Sequence, residues 1–465
     1  MPKRIVIVGG GITGLSAAYR LQELEKERAL ELEILLFEKS DRLGGAIKTV
    51  SKDGYLIELG PDMFFTKRPW ALDLSKRLGL ESELIQTNES MRGTSVLWKG
   101  NLIPVPQGFL MLAPSKIMPF ITSPLFSWSG KLRMLMELFI SKKEPSDESL
   151  ASFVRRRFGV EALVRVAQPM IGGIYTADPE KLSIQATMPQ FLEMEQTRGS
   201  VIRAMLQNSG EIKGDSGARY SQFLSFNDGM ETIVDKITSI LPEDSLCLNE
   251  AVDKISKTNS TWEIETNNRK INCDGIIIST PAYHAASLVN NIDPSLGDDL
   301  SSIEHASSAV IALAYKKENI GSNLHGFGFV VPDVEGIKLI ACSYSSTKFD
   351  GRAPDGHVLL RAFVGGALNP SICELEDTKI IGQVTQELNS ILNIKSDPDF
   401  TMIERYPDAM PQYHIGHVKK VEQIKQRVTN LKGLEIAGNA YNGVGIPDTI
   451  HSGELAAESI IDQLF

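Results

Sequence analysis

Glycines near the start of the chain give its clearest chemical signal. Gly9, Gly11 and Gly14 have the G-x-G-x-x-G spacing. The first glycine permits a tight turn, the second lets the backbone approach a pyrophosphate, and the third lets a helix pack closely on a strand. A helix that begins there offers its N–H groups and positive dipole to phosphates. The residues predicted to bind an adenine dinucleotide are Gly9, Gly10, Gly11, Ile12, Thr13 and Gly14.

The segments around these glycines are those that such a site requires. The apolar run 5–8 predicts a buried parallel strand, and residues 15–27 carry apolar side chains on one helical face. Residues 34–37 predict a second strand, and Glu38 follows it directly. An acid at the end of the second strand accepts hydrogen bonds from a ribose. We therefore predict that Glu38 binds the ribose of the cofactor.

The residues after Glu38 favour FAD over NAD. Lys39 and Arg42 precede the pair Gly44-Gly45, and a strand at 55–58 leads into Gly60-Pro61-Asp62-Met63. This arrangement resembles the second flavin motif of the amine-oxidase-like FAD superfamily, in which an arginine and a glycine pair are followed by a strand ending in Gly-Pro or Gly-Ala. The residues that the resemblance assigns to FAD are Lys39, Arg42, Gly44, Gly45, Gly60, Pro61, Asp62 and Met63.

A second contact with the flavin is predicted near the other end of the chain. Residues 434–439 predict a strand that runs into a glycine turn, and residues 449–463 predict a helix. Pro447 would occupy the first helical position, where its missing N–H costs nothing. The helix N-terminus would face the pyrimidine edge of the flavin and stabilise negative charge there. The residues predicted to contact FAD here are Gly438, Val444, Gly445 and Ile446.

The middle of the chain predicts the second half of the same domain. A helix over 231–240 precedes four short strands, of which the last, 275–279, would return beside the first strand of the chain. Val252, at the start of one of these strands, would lie beside the adenine. The predicted fold class is α/β, with a FAD-binding, Rossmann-like domain of the amine-oxidase-like superfamily. Its predicted segments are 1–65, 215–290 and 405–465.

Two inserted parts account for the remaining residues. Residues 66–98 and 291–404 predict a mainly antiparallel β domain that binds the substrate. Residues 99–214 predict a helical insertion, and its segment 99–143 is apolar, interrupted by prolines and flanked by lysines and arginines. Short amphipathic pieces with basic flanks dock on anionic membrane surfaces. The same pattern suits a lid or a cavity wall, and both interpretations stay open.

Composition excludes several classes of protein. The 465 residues have 48 Lys+Arg against 58 Asp+Glu, a net charge of −10, which excludes a global footprint for nucleic acid. The four cysteines form no C-x-x-C pair, and their scarcity suits a reducing cytosol. We expect no secretory signal and no membrane-spanning segment. His414 and His417 lack acidic or cysteine neighbours in the sequence, so we predict no metal site.

The motifs together resemble one known family almost from end to end. Beyond the glycine motifs, three runs carry the resemblance: Gly173-Ile174-Tyr175, Met410-Pro411-Gln412-Tyr413-His414 and Gly443-Val444-Gly445-Ile446-Pro447-Asp448. They are similar to the flavin-dependent protoporphyrinogen/coproporphyrinogen oxidases, above all to the soluble Gram-positive bacterial form that acts on coproporphyrinogen III. The resemblance implies a six-electron oxidation of a porphyrinogen in haem biosynthesis, with three O₂ reduced to three H₂O₂. It also implies a cytoplasmic enzyme, with contact to a membrane surface and hand-over of product to a ferrochelatase as further expectations.

The resemblance also implies which residues contact the substrate. Arg68 falls where the family has a basic active-site residue, and it would pair with a propionate. Gly173 falls where a family glycine lies against the substrate, while Ile174 and Phe363 would be pocket walls. Tyr406 is the aromatic residue on the strand before the Pro-Gln-Tyr-His run, where relatives can have tryptophan, and it would contact the flavin.

Alternatives stay open at this stage. The substrate could be protoporphyrinogen IX, and a different enzyme of the superfamily would oxidise amines or polyenes. A flavin-free binding protein could also keep this fold, although the C-terminal flavin turn argues against it. The four propionates of coproporphyrinogen would favour additional cations at the cavity, for which Lys67, Arg68 and Arg198 are candidates.

Overall fold

A parallel sheet, built from the start, middle and end of the chain, forms the centre of the fold. The structure is a computed structural model that describes residues 2–110, 112–144, 146–211, 222–258, 261–322 and 324–465. The strands are β1 (Lys3–Val8), β2 (Leu32–Phe37), β3 (Thr49–Lys52), β4 (Tyr55–Glu58), β5 (Phe64–Phe65), β6 (Leu84–Gln86), β7 (Ser95–Trp98), β8 (Asn101–Pro104), β9 (Phe109–Leu110), β10 (Ala113–Pro114), β11 (Phe223–Phe226), β12 (Leu246–Cys247), β13 (Val252–Thr258), β14 (Thr261–Thr266), β15 (Lys270–Cys273), β16 (Gly275–Ile278), β17 (His305–Lys316), β18 (Gly328–Val330), β19 (Leu339–Tyr344), β20 (His357–Gly365), β21 (Phe400–Pro411) and β22 (Leu434–Ile436).

The helices follow the strands in three groups: around the parallel sheet, in the insertion, and behind the large antiparallel sheet. In chain order they are α1 (Ile12–Glu27), α2 (Trp70–Arg77), α3 (Ile117–Thr122), α4 (Trp128–Leu135), α5 (Leu150–Arg157), α6 (Val160–Ala162), α7 (Gln168–Tyr175), α8 (Ile184–Thr187), α9 (Pro189–Arg198), α10 (Val201–Glu211), α11 (Glu231–Ile240), α12 (Ala282–Val289), α13 (Pro294–Ser301), α14 (Ser345–Lys348), α15 (Asp377–Leu392), α16 (His417–Thr429) and α17 (Ile446–Leu464).

The parallel sheet has the strand order β12-β2-β1-β16-β22. Ile5 and Ile7 of β1 pack on one face with α1, α11 and α17, while Val6 and Val8 pack on the other with β14, α12 and α16. Because both faces are covered, β1 is a continuous apolar run. The chain leaves β1 toward β2 and later returns to its other side as β16, so the strand order switches at the carboxyl ends of these two strands. Ligands of such folds bind at this switch.

The first and last helices pack directly on each other beside this switch. A Cβ on Gly453 of α17 would lie 2.2 Å from the carbonyl oxygen of Thr13 in α1. Only glycine permits this approach, because the neighbouring atom belongs to the backbone and cannot move aside. The two ends of the chain are thus joined at the carboxyl edge of the sheet.

The large sheet has the order β21-β17-β20-β19-β18-β7-β8 and is antiparallel except where β18 runs parallel to β7. Mainly antiparallel pairing agrees with the predicted fold class. β21 pairs with β17 from Phe400 to Pro411, so one strand spans the predicted boundary between residues 404 and 405. The boundary predicted between 98 and 99 falls in the turn between the paired strands β7 and β8. The boundary predicted at 214/215 lies outside the described residues.

The insertion is helical, with its own apolar core and a buried ionic cluster. Arg157 lies 2.7 Å from Glu137, and neither side chain is exposed. Arg156 forms ion pairs with both Glu148 and Glu195. Charges buried at this depth persist because they are paired and hydrogen-bonded. None of the helices in the described ranges is long and apolar enough to cross a membrane.

Local predictions agree with the observed elements except at two helix starts, since the helix predicted over 15–27 is α1, which begins three residues earlier, at Ile12. The helix predicted over 231–240 is α11, with the same bounds. The helix predicted over 449–463 begins earlier, at Ile446, because Gly445 is extended and caps it. The predicted place of Pro447 is therefore wrong by one residue, since it occupies the second helical position. That position also tolerates a missing N–H.

Candidate functional site

The glycine turn after β1 forms an open cradle at the start of α1. Gly9 has a φ of +108°, and a Cβ on Gly14 would lie 2.0 Å from the Gly9 carbonyl oxygen. Gly11 caps α1 without a side-chain hydrogen bond, and a Cβ on it would meet nothing within 4 Å. The turn therefore leaves free space beside the uncapped first turn of a helix, where Ile12 and Thr13 follow Gly11. A phosphate fits this combination of N–H groups and dipole.

A second glycine loop lies against the first. Gly44 donates its N–H to Gly10 over 2.8 Å, and a Cβ on Gly45 would lie 3.2 Å from the Cα of Gly11. Both residues have positive φ angles. Arg42 holds this loop by donating to the carbonyl of Gly45 and pairing with Glu231 of α11. Arg42 is thus placed to support the loop, whereas the neighbouring Lys39 is exposed.

Glu38 lies at the edge of the cradle, directly after β2. Its carboxylate accepts hydrogen bonds from the N–H of Gly10, at 2.8 Å, and from the N–H of Ser40, at 2.9 Å. Its carbonyl accepts the N–H of Glu250, which brings the start of β13, with Val252, close to the same edge. Glu38 and Val252 therefore adjoin the glycine cradle, as the ribose and adenine predictions require.

The turn after β4 is anchored by a buried charge cluster. A Cβ on Gly60 would lie 1.8 Å from the Ala46 carbonyl oxygen, so the two loops touch. Asp62 accepts from Lys348 at 2.8 Å and pairs with Arg361 at 3.0 Å, and Arg361 also donates to the Gly60 carbonyl. Burial alone would raise the pKa of Asp62, but Lys348 and Arg361 lower it to about 2.

Sequence reasoning missed Lys348 and Arg361. Arg361 lies within the apolar strand β20, which is a weak signal that it has a buried partner, whereas Lys348 follows the polar run 345–347 and carries no such signal. Pro61 and Met63 flank Asp62 in the anchored turn and are both partly exposed. The cluster fixes the turn that was predicted to contact the flavin.

Tyr406 reaches the same loops from β21. Its hydroxyl donates to the Ala46 carbonyl at 3.4 Å, and a Cβ on Gly60 would lie 3.4 Å from that hydroxyl. Burial is the main cause of a raised pKa for Tyr406, so the phenol is neutral. This position brings the predicted flavin-contacting tyrosine beside the predicted flavin turn.

The C-terminal turn is rich in positive φ angles. Gly438 has a φ of +137° and Gly443 one of +146°, and a Cβ on Gly438 would meet nothing within 4 Å. Gly445 occupies the N-cap position of α17, and no side chain there accepts a hydrogen bond from the first N–H groups of the helix. The Ile446 side chain is buried in the apolar core, so only its backbone is available to a ligand at this turn. Val444 is partly exposed. The turn thus presents a second uncapped helix N-terminus.

Arg68 lies next to this turn. Its Nη1 is 3.6 Å from Oδ1 of Asp448, and its guanidinium lies 5.6 Å from the Trp70 ring centroid. The Arg68 side chain is 56% exposed, so the ion pair is loose. Tyr175 adjoins the pair: burial first and the Asp448 charge second raise its pKa to about 12, although Arg68 opposes them. Sequence reasoning quoted Tyr175 and Asp448 within motifs but gave them no role.

The predicted pocket walls meet where α7 faces the large sheet. A Cβ on Gly173 would lie 3.6 Å from Cγ1 of Val330, and Ile174 is exposed on the same helix. Phe363 of β20 is half-buried and packs, like Tyr175 and Val444, against the core of the insertion. Gly173, through Val330, and Phe363 therefore adjoin the same apolar core between α7 and the sheet, and substrate contact by these residues and Ile174 stays a prediction. Lys67 and Arg198 are both exposed.

The two histidines of the Pro-Gln-Tyr-His run have other partners than a metal. Nδ1 of His414 lies 3.8 Å from Glu304, and Nε2 of His417 hydrogen-bonds the Tyr441 carbonyl. Across the described ranges, no group of three histidine, cysteine or acidic side chains is arranged to hold a metal ion.

These features fit an extended flavin dinucleotide. Open glycine surfaces at Gly11 and Gly438 lie beside two uncapped helix N-termini, one near each end of the chain. The first suits a pyrophosphate and the second suits a ring edge that becomes negative on reduction. The loop with Gly44 and Gly45 joins the first region to the turn with Gly60, through Ala46.

Comparison with known proteins gives consistent matches. The coproporphyrinogen III oxidase of Bacillus subtilis (strain 168) is 36% identical over 468 residues, covering 100% of this chain and 99% of the relative. The protein of the same name from Staphylococcus aureus (strain NCTC 8325 / PS 47) is 33% identical over 475 residues and covers 100% of both. A solved structure of a candidate protoporphyrinogen oxidase from Exiguobacterium sp. 255-15 has a TM-score of 0.88 at 29% identity and covers 99% of each chain.

The sequence profile of one family spans nearly the whole chain. The family described as flavin containing amine oxidoreductase matches residues 12–461, a range that begins within the first glycine turn and includes the second glycine loop and the C-terminal turn. The full-length relatives add identity above 30%. This chain therefore belongs to the flavin containing amine oxidoreductase family.

Proposed function

We propose that this chain is an FAD-dependent coproporphyrinogen III oxidase, which converts coproporphyrinogen III to coproporphyrin III and reduces three O₂ to three H₂O₂. The observation that carries the proposal is the position of Arg68, a loosely paired cation beside the C-terminal turn and next to an apolar wall. The full-length similarity to two coproporphyrinogen III oxidases supports the choice of substrate.

The proposed binding residues divide along the cofactor. The turn Gly9–Gly14, with Gly10, Ile12 and Thr13, would hold the pyrophosphate, Glu38 the ribose and Val252 the adenine. The remaining contacts proposed for the loops and the ring are Lys39, Arg42, Gly44, Gly45, Gly60, Pro61, Asp62, Met63, Tyr406, Gly438, Val444, Gly445 and Ile446. Bound FAD supplies the oxidising chemistry, accepting hydride from a substrate carbon and returning electrons to O₂.

The protein itself orients the substrate and excludes water. Arg68 would bind a propionate by charge-assisted hydrogen bonds, at the expense of its loose contact with Asp448. Gly173 leaves room for the flat ring system, and Ile174 and Phe363 would form apolar walls. Positioning of this kind is the main contribution that a protein makes to cofactor chemistry.

Turnover of both porphyrinogens, side by side, tests the substrate. Coproporphyrinogen III has four propionates and protoporphyrinogen IX has two, and the solved relative from Exiguobacterium favours the second as an alternative. We expect faster formation of fluorescent coproporphyrin, stimulated by added FAD, with air oxidation without enzyme as the control. Faster oxidation of protoporphyrinogen would replace the substrate, and oxidation of neither above the air rate would contradict the proposal.

We also propose that the insertion binds peripherally to a membrane surface. Trp128, Leu132 and Met136 follow each other at helical spacing from α4 onward, and Phe139 extends the row. Trp128 is 74% and Phe139 is 86% exposed. Lys116 and Lys142, which precede and follow this row in the chain, are exposed. An apolar stripe with basic neighbours suits a layer of anionic lipids.

Flotation with vesicles tests the membrane contact. Vesicles that contain phosphatidylserine should carry the protein, and Leu132→Glu combined with Phe139→Glu should release it because charge opposes insertion. Val334→Glu is the control outside the row, since Val334 is an apolar residue, 60% exposed, on the β18–β19 connection. Equal flotation of the double variant and the control would contradict the contact.

The resemblance further supports a cytoplasmic location and hand-over of the product to a ferrochelatase. Hand-over predicts that a ferrochelatase from the same organism cross-links to this chain more strongly when coproporphyrin is present. Cross-linking that is absent with and without the porphyrin would contradict it.

A further inference from the structure

The Pro-Gln-Tyr-His run holds the C-terminal turn through two stacked rings. The rings of Tyr413 and His417 lie 3.9 Å apart and 12° from parallel. Both side chains are buried, Tyr413 with 2% of its surface exposed. The pair lies between the insertion and the turn that connects β22 to α17, and no function described above uses it.

Each polar atom of this pair contacts the backbone of the turn. The Tyr413 hydroxyl accepts the N–H of Gly443 at 2.8 Å and donates to the carbonyl of Asn439. Nε2 of His417 lies 3.2 Å from the carbonyl of Tyr441. A carbonyl only accepts, so this histidine nitrogen carries a proton and donates it. Three alternate residues of the turn, 439, 441 and 443, are therefore held by two side chains.

The backbone next to the two rings is held by residues of the insertion. The N–H of Ser183 donates to the carbonyl of Tyr413 at 2.7 Å. Asp147 accepts both the Ser183 hydroxyl, at 2.6 Å, and the N–H of Gly416, at 2.7 Å. The backbone that carries the pair is thus anchored to the insertion by bonds that do not involve the turn.

We propose that Tyr413 and His417 are positioning residues that fix the turn 439–443, and with it the N-terminus of α17, in the shape that binds the flavin ring. Gly443 lies outside any helix or strand, with a φ of +146° that glycine adopts without strain, so its position depends on contacts such as the bond from its N–H to the Tyr413 hydroxyl. The inference rests on the flavin part of the proposed function and is independent of the substrate.

Tyr413→Phe in the FAD-loaded protein tests this role, because it removes one hydroxyl and leaves the ring stack. The partly buried N–H of Gly443 and the carbonyl of Asn439 then both lose a partner. We expect FAD to be released about tenfold faster after dilution, followed by the rise of free-FAD fluorescence. We also expect a changed visible circular dichroism spectrum of the bound flavin, which a merely structural role would leave as it is.

Tyr315→Phe is the matched control. Tyr315 is fully buried in β17, and its hydroxyl has no hydrogen-bond partner among the described residues. It should therefore keep the parental release rate and spectrum. If Tyr413→Phe does not fold, His417→Phe keeps a ring in the stack, removes only the bond to Tyr441, and should change both readouts in the same direction.

The outcomes separate the two claims. A parent protein that retains no FAD would contradict the proposed function. A parent that retains FAD, with Tyr413→Phe or His417→Phe matching its release rate and flavin spectrum, would overturn the positioning role alone, whatever happens to the melting temperature.

Discussion

Two anions compete for Arg68 in the proposed function: the carboxylate of Asp448 and a propionate of the substrate. The Arg68 side chain is more than half exposed and lies 3.6 Å from Asp448. The proposed substrate would bring its propionates to the same place. A loose ion pair of this kind contributes little to stability. Arg68 is therefore available to a ligand at a small cost to the fold.

Arg68→Ala should weaken substrate binding more than it slows chemistry. Loss of a charge-assisted bond to a propionate predicts a KM for coproporphyrinogen raised about 10- to 100-fold, with a smaller change in kcat. Steady-state kinetics measure both. Lys67→Ala, at the exposed neighbouring cation, is the control. Equal KM values in the two variants would remove Arg68 from the substrate site.

Asp62 has the opposite character, since its charge is buried with two cations. Asp62→Asn leaves Lys348 and Arg361 without their anion, which should lower the free energy of unfolding by about 3–5 kcal/mol. Denaturant unfolding measures this, with the exposed Asp355→Asn as the control. A variant as stable as that control would show that the cluster does not hold the turn.

The same residue predicts how stability depends on pH. The pKa of Asp62 is lowered from 3.8 to about 2 in the folded protein. Its stabilising effect is therefore complete above pH 3.8 and is lost as the pH falls from there toward 2. The Asp62→Asn variant should show a shallower loss of stability over that interval than the parent does.

At the scale of elements, the contact between α1 and α17 decides whether the two ends of the cofactor site meet. A Cβ on Gly453 would lie 2.2 Å from the Thr13 carbonyl oxygen and 3.2 Å from the Ala17 nitrogen. Both are backbone atoms, so the helices must separate to admit a methyl group. Thr13 belongs to the predicted phosphate turn, and separation would disturb that turn as well.

Gly453→Ala should therefore lower both stability and FAD content. We expect the free energy of unfolding to fall by about 1–3 kcal/mol, the usual range for overpacking. Gly382→Ala in α15 is the control, because its Cβ meets nothing within 4 Å and alanine in a helix should add about 0.5–1 kcal/mol. Thermal unfolding measures the change in stability, and the flavin-to-protein absorbance ratio measures the FAD content. A Gly453→Ala protein with parental FAD content would contradict the close contact.

Elements that depend on nearby residues were predictable from the sequence. α11 has the predicted bounds because its apolar spacing and the preceding glycine are local signals. The start of α17 was predicted three residues late, since the extended conformation of Gly445 that begins the helix is set by the surrounding turn. An antiparallel sheet was expected from the strands after residue 300, but its strand order and the membership of β7 and β8 were not, because pairing partners leave no periodic signal.

At the scale of the whole molecule, contacts between distant segments were beyond sequence reasoning. Asp62 pairs with Lys348 and Arg361, which lie 286 or more residues further along the chain. Tyr413 holds Gly443 across the turn, although both runs were recognised separately by their resemblance. Motifs identified the parts of the candidate site, and only the three-dimensional arrangement shows which side chains support them.

The packing of the two ends of the chain against each other also explains where the proposed substrate chamber lies. α1 and α17 pack on each other beside the parallel sheet, while Phe363 of the large sheet and Val444 of the C-terminal turn pack against the core of the insertion. The proposed chamber therefore lies between three parts of the fold, where apolar walls can exclude water from a bound ring system.

The ratio of peroxide to porphyrin tests the central claim most directly. The purified protein would be mixed with coproporphyrinogen III in air, and H₂O₂ and coproporphyrin would be quantified in the same sample, with and without FAD. The account predicts three H₂O₂ for each porphyrin, and both products should require bound flavin. Porphyrin formed without peroxide, or at the same rate in flavin-free protein, would contradict it.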